Sequence, residues 1–342
     1  MSKGLTGVNF DKHTKNRGNG LILRGTLVLS IIAIALVFVI VLTIISSNNL
    51  MNIESNQVSN VPSNILPSYS TCSFESFDKQ TSLSGWFFKV DRPITTVIFV
   101  HDSGSNRLPF GVNMIDMIER MLDANYNVFL FDLRNSGDSG GDITGYGYLE
   151  WQDVLGAIAQ VRMISVTTDV ILFGIGSGTT ACLMAYDQLP AENLTDAELA
   201  QYSDDITSLG FNRSYVKGMI FDSPAKNSDD YIKPLVVQSQ FLGNITQNFV
   251  PYAIRVSSGV SSSMNLAAQI SRLPIPVCII YGGHDIFVGS DKIQQIINER
   301  NRLNSSITSS LMIPGAGYLE SYRINKDLYI DTVMSFLQSF FI

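Results

Sequence analysis

Histidine, cysteine and charge are all scarce in this chain. Of 342 residues, three are His, three are Cys and 15% are charged, where about a quarter is usual for soluble domains. The histidines are His13, His101 and His284, and no Cys/His cluster has metal-ligand spacing. Three cysteines supply no disulfide framework. Cys182 and Cys278 lie in apolar runs that read as core, and Cys72 stands apart from them. No glycine-rich turn carries the Lys-Ser/Thr of a phosphate loop or the spacing G-x-G-x-x-G. No cofactor and no metal are therefore expected, and no internal repeat is visible.

One long apolar run is present. Gly25–Ile45 has no charge and is about the ~20 residues that a membrane-spanning helix needs. The run is too long for a signal peptide, and Ile44-Ile45-Ser46-Ser47-Asn48 is a poor cleavage site, so an uncleaved signal anchor is expected. Lys3, Lys12, Lys15, Arg17 and Arg24 precede it with Asp11 alone opposing, whereas Ser46–Tyr69 carries only Glu54. The positive-inside rule then places 1–24 as a cytoplasmic basic tail, 25–45 as a single-pass anchor and the rest outside the cell. The tail is +4, so the chain's net −7 leaves −11 on the external part. Such an acidic domain excludes nucleic acid as a natural partner. Residues 46–69, rich in Asn, Ser and Pro, read as a flexible stalk.

Beyond residue 70, strand-like and helix-like runs alternate. Strands are predicted at Cys72–Phe77, Leu83–Lys89, Thr95–Val100, Tyr126–Phe131, Asp169–Phe173, Val216–Phe221, Pro276–Tyr281 and Ser309–Ile313. Helical patterns cover Phe110–Ala124, Tyr148–Ile164, Ser177–Gln188, Ser290–Arg302 and Lys326–Phe340. Several strands are continuous apolar runs, as burial on both faces requires. The alternation predicts an α/β domain, mainly a parallel sheet flanked by helices, over 70–342. Two segments interrupt it: a polar, acidic insertion at Pro190–Arg213, a candidate contact surface, and a helical cap region over about 225–272, chiefly Tyr231–Arg272.

The most informative segment comes directly after Asp169–Phe173. Gly174-Ile175-Gly176-Ser177-Gly178 is a tight turn, and Thr179–Tyr186 opens a helix. A G-x-S-x-G elbow presents its serine between two glycines because residues two positions away crowd it. With Gly174 and Gly178 as those flanks, Gly176 holds the nucleophile position and has no side chain to attack with. Centring the turn on Ser177 instead would make the flanks Ile175 and Thr179, both β-branched and too bulky. Ser177 remains an alternative nucleophile; in the natural register it contributes a backbone N–H. A serine held at such a turn costs on the order of 1–3 kcal/mol in backbone strain, which glycine relieves.

From Cys72 to the C-terminus the chain resembles the α/β-hydrolase superfamily, specifically its Bem46-like and acyl-peptidase-related serine hydrolases. Ser84–Phe88 matches the family's second strand, and Val97–Arg107 its oxyanion strand and loop. Phe131–Gly141 matches its D-x-R-x-x-G-x-S-x-G segment, and Asp222-Ser223-Pro224 comes after the next strand as the family expects. The resemblance implies a catalytic triad in the order nucleophile, acid, histidine. It places the acid at Asp285, in Tyr281-Gly282-Gly283-His284-Asp285, and the histidine at Tyr318, after Gly315-Ala316-Gly317. A phenol with a pKa near 10 is a poor base at neutral pH; lowering it by three units would take about 4 kcal/mol. His13 is on the tail, His101 occupies the family's oxyanion-loop histidine, and His284 adjoins the acid.

The expected protein is thus an α/β-hydrolase-fold domain with a degraded triad, displayed outside the membrane as a binding or scaffold protein. Oxyanion-hole N–H groups at Asp102 or Ser103 and at Ser177 would still take an oxygen of a small acyl or peptide ligand. The alternative is an active serine hydrolase with a displaced nucleophile, Ser177 or Ser103, served by His101 or His284. Asp285 would otherwise cap its own loop. Asp132 and Arg134 are expected to form an ion pair, and Glu150 and Asp153 a solvated or capping face.

Overall fold

The computed structural model describes residues 15–58 and 65–342, with side chains from residue 22 onward apart from 59–64. Most of the basic tail, including His13, and part of the stalk lie outside the described residues. The first element is the long helix α1 (Lys15–Met51). Eight strands come after it: β1 (Ser70–Glu75), β2 (Ser82–Phe88), β3 (Thr96–Val100), β4 (Asn127–Phe131), β5 (Val170–Ile175), β6 (Val216–Asp222), β7 (Val277–Gly282) and β8 (Thr308–Ile313). They form one sheet in the order β1-β2-β4-β3-β5-β6-β7-β8. Strand β2 runs antiparallel to both its neighbours, β1 and β4; across the sheet from β4 to β8 every pairing is parallel.

The helices between strands cover both faces, as a parallel sheet requires. In chain order they are α2 (Ile115–Asp123), α3 (Trp151–Ile164), α4 (Gly178–Gln188), α5 (Asp196–Leu199), α6 (Asp204–Ser208), α7 (Lys233–Ser239), α8 (Gly243–Thr246), α9 (Val250–Ser257), α10 (Leu266–Arg272), α11 (Ser290–Asn304), α12 (Ser321–Ile324) and α13 (Lys326–Phe340). Strand β5 shows how the layers close. Its Val170 and Leu172 pack with α3, α4 and α11 on one face. Its Ile171, Phe173 and Ile175 pack with α2 and α13 on the other. The period-2 alternation of side chains sends successive apolar residues into opposite cores. Helices α7 to α9 form the cap, and α5 and α6 occupy the acidic insertion.

The expected stalk is not a free linker over its first half. Helix α1 continues to Met51, and Leu50 and Met51 are buried among Tyr146, Tyr148, Ile232, Val236 and Ile254. Tyr146 Oη donates to the Leu50 carbonyl at 2.9 Å, and Thr144 N–H to the Met51 carbonyl at 2.8 Å. Further on, Asn135 donates to the Ile53 carbonyl, Ser55 to the Gly137 carbonyl and Asn56 to the Gly104 carbonyl. Ser55 and Asn56, two of the residues that suggested a solvated chain, instead bond loops at the C-terminal ends of β4 and β3.

Candidate functional site

Two close approaches set the register of the turn after β5. A Cβ on Gly174 would lie 2.9 Å from Thr179 Cα, and one on Gly178 would lie 2.8 Å from the His101 carbonyl and closer still to that of Val100. Real Cβ atoms do not tolerate such distances, so both positions must be glycine, and position 176 is the apex. Gly176 has φ +53°, the left-handed region that glycine adopts most cheaply. Its N–H is held by the Asp222 carbonyl at 3.0 Å, at the end of the neighbouring strand.

The apex is already occupied. A Cβ at residue 176 would meet Asp102 Oδ1 at 2.5 Å and Cγ at 2.6 Å, and the Tyr318 hydroxyl closer still. Asp102 Oδ1 accepts the Ser177 N–H at 2.8 Å and the Ser177 hydroxyl at 2.7 Å. Tyr318 Oη donates to Asp102 Oδ2 at 3.1 Å. Ser103 completes the group: its N–H donates to Ser177 Oγ at 2.9 Å, and the two hydroxyl oxygens are 2.8 Å apart. Because the Ser177 proton points to Asp102, the Ser103 hydroxyl donates, and Ser177 Oγ accepts twice.

The oxyanion expectation therefore needs correcting. The N–H groups of Ser103 and Ser177 do converge, but both are used internally, by Ser177 Oγ and the Asp102 carboxylate. Asp102 enters through its side chain rather than as a backbone donor. The sequence signal for this was slight: a carboxylate one residue beyond β3, in a chain whose elbow apex has no side chain to exclude it.

Charge in this region is one-sided. Burial pushes the Asp102 carboxyl up, opposed by the donors from Ser177 and Tyr318. Burial, and then the neighbouring Asp102, push the Tyr318 phenol well above 10. Tyr318 keeps its proton and acts as a donor, and a base at neutral pH it is not. Its ring stacks on Phe287 at 4.3 Å between centroids, with Tyr231 6.5 Å away.

Asp285 is buried, and its Oδ1 accepts the N–H groups of Phe287 and Val288 at 2.9 and 3.0 Å. It caps its own loop, while Oδ2 has no hydrogen-bond partner. A second carboxylate, Asp222, carries no signal in the sequence beyond its place after a predicted strand. It accepts hydroxyls from Tyr329 at 2.9 Å and Ser223 at 3.0 Å. Burial pushes it up to about 7, with Asp285 and Asp102 adding repulsion.

Neither described histidine serves Ser177 or Ser103. His101 Nε2 accepts the Leu133 N–H at 3.0 Å, so Nδ1 carries the proton and donates to the Asp102 carbonyl at 2.8 Å. Burial lowers its pKa and keeps the ring neutral. His284 is exposed. The expected Asp132–Arg134 ion pair does not form. Asp132 instead receives the Arg107 N–H at 2.7 Å and its Nε at 3.0 Å, while Arg134 pairs with Asp153 at 2.7 Å and Asp78 at 3.2 Å. Leaving β4, the chain turns these two side chains toward different neighbours, the oxyanion loop and α3. Glu150 and Asp153 are accordingly buried rather than solvated, and Glu150 caps the N–H groups of Gly145 and Gly147.

Among solved structures, the chain is similar to the Pyrococcus furiosus esterase Pf2001, with a TM-score of 0.63 at 17% identity, covering 86% of this chain and 99% of that one. It is similar also to the α/β hydrolase GrgF from Penicillium sp. sh18, with a TM-score of 0.55 at 13% identity, covering 80% and 99%. In sequence it is similar to the uncharacterized protein YfhR of Escherichia coli (strain K12), 23% identical over 270 residues, 76% of this chain and 77% of that one. No protein-family model matches.

Proposed function

The chain has the α/β-hydrolase fold, and we propose that within it the protein is a membrane-anchored binding or scaffold protein without Ser-His-Asp catalysis. One observation carries this reading: the space of an elbow nucleophile is filled by the protein's own Asp102 carboxylate and Tyr318 hydroxyl. The carboxylate takes the Ser177 N–H that an acyl oxyanion would need. Asp285, unpartnered at Oδ2, is the acid of a triad whose histidine position holds Tyr318. In this reading α1 anchors the chain, with its N-terminus in the cytoplasm and the domain outside. A small acyl or peptide ligand would enter by displacing Asp102 from the Ser177 N–H.

A second reading has one contact in its favour. Ser177 Oγ donates to Asp102 at 2.7 Å, a serine facing a carboxylate base, as a displaced nucleophile would. Against it, both acceptor sites of Ser177 Oγ are engaged by Ser103. Turnover of short p-nitrophenyl esters by the full chain separates the two. The first reading expects rates at background, unchanged by Ser177→Ala; ester hydrolysis abolished by that substitution would establish the second.

A further inference from the structure

The cap carries an apolar face that no other segment among the described residues covers. From Pro234 to Ile254 there is no charged residue, across α7, α8 and most of α9. Val250 and Ile254 point into the core and are fully buried. Ile245, Phe249, Tyr252 and Val256 are each at least half exposed, and Phe241 is 72% exposed. Phe249, Tyr252 and Val256 run at helical spacing along α9 from its N-cap, and Ile245 lies on the preceding α8. The bracketing cations are both paired: Lys233 with Asp230 at 3.0 Å and Arg255 with Asp229 at 3.1 Å.

Helix α1 fixes what lies beside that face. It packs against α8 and α9 through Thr43, Ser46, Ser47 and Leu50, which are buried and recur at the spacing of one helix face. Its apolar stretch is Ile22–Met51, 30 residues, or about 45 Å at 1.5 Å per residue. The hydrocarbon core needs only about 30 Å of this. Counted from Gly25, the first residue after Arg24, that length ends near Ile44, beside Thr43, where the contact with the cap begins. The last turns of α1 therefore rise out of the hydrocarbon with α8 and α9 alongside.

We propose that the α8–α9 face of the cap rests in the headgroup–acyl boundary of the bilayer beside α1. The occupant is lipid: a bilayer already surrounds α1 at this height. Phe, Ile and Val supply apolar area for the acyl side, and Tyr252 carries a polar tip suited to the interface. The external part is acidic, so the association is apolar and insensitive to salt. The domain then lies close to the membrane with the C-terminal ends of its strands turned toward it. The proposal rests on α1 being a membrane span.

The test uses the full chain in phosphatidylcholine nanodiscs, in a Cys72→Ser background, with single nitroxide labels on Ile245→Cys, Ile34→Cys or Val166→Cys. Ile34 is 69% exposed in the middle of α1, and Val166 is 81% exposed before β5. Paramagnetic relaxation by oxygen, which concentrates in lipid, is compared with that by a water-soluble nickel chelate. Oxygen should dominate at 245 as at 34, and the order should reverse at 166. Nickel dominance at 245 with oxygen dominance at 34 would overturn the docking while leaving the span intact. Nickel dominance at 34 would overturn the span and the docking together. A label at 245 shielded from both, with broadening between labels, would mean a second copy covers the face and would also overturn it.

Discussion

The Tyr318 hydroxyl and the Asp102 carboxylate meet at 3.1 Å, in the space that a side chain on Gly176 would need. Position 176 is constrained twice over as a result. Any Cβ there adopts the left-handed region, costing roughly 1–2 kcal/mol, and overpacks its neighbours, costing about 1–3 kcal/mol. Gly176→Ala should lower unfolding stability by about 2–5 kcal/mol in denaturant titrations. Tyr318→Phe, which removes the nearest atom, should recover part of that loss in a double-mutant cycle. Purely additive effects would show that the two positions do not compete for space.

On the proposed reading, building chemistry at the elbow takes three changes. Gly176→Ser with Tyr318→His supplies a nucleophile and a base, but the Asp102 carboxylate still fills the site and holds the Ser177 N–H. Adding Asp102→Gly should release that oxyanion donor, a contribution on the order of a hundredfold in rate. Fluorophosphonate labelling at residue 176 should be faster in the triple variant than in the double. Equal labelling would mean that Asp102 is no obstacle.

Asp222 makes stability depend on pH with a definite sign. Its carboxyl is raised to about 7 in the folded protein, against about 3.9 unfolded. The folded state therefore binds the proton more tightly. That stabilisation, about 4 kcal/mol, is fully present below pH 4 and is lost as pH rises through 7. Asp222→Asn is neutral throughout, so it should gain stability relative to the natural chain between pH 5 and 8. Parallel stability curves across that range would contradict the assignment.

The loop after β3 is anchored by a buried ion pair. Asp132 is fully buried and accepts from the backbone and Nε of Arg107 and from the Asp138 N–H, with the Arg107 guanidinium over Trp86 at 4.9 Å. Asp132→Ala leaves the buried Arg107 with the partly exposed Asp138 carboxylate at 2.7 Å as its remaining ion-pair partner, and should cost about 3 kcal/mol of unfolding stability. A loss below 1 kcal/mol would indicate that the pair is solvated.

What the sequence disclosed depended on how local the cause was. Strands β3 to β7 fall where apolar runs predicted them, because a strand buried on both faces writes its burial into consecutive residues. The elbow register was legible too, since Gly174 and Gly178 answer to steric contacts within a few residues and on the adjacent strand. Partnerships between distant segments were not. Asp102 reaches Ser177 across 75 positions and Tyr318 across 216, and neither distance leaves a pattern in the chain. The Asp132–Arg134 pair was inferred from proximity in sequence, yet each side chain found a partner on another element. The segment after Ile45 misled through composition: its Asn and Ser serve as donors to loop carbonyls as readily as to water.

The most direct measurement treats the natural full-length chain with a fluorophosphonate probe and maps adducts by mass spectrometry. With no side chain at residue 176 and Ser177 Oγ accepting from Ser103 twice, the proposed reading expects no serine to be modified. A stoichiometric adduct on Ser177 or Ser103 would contradict the account and identify a hydrolase with a relocated nucleophile.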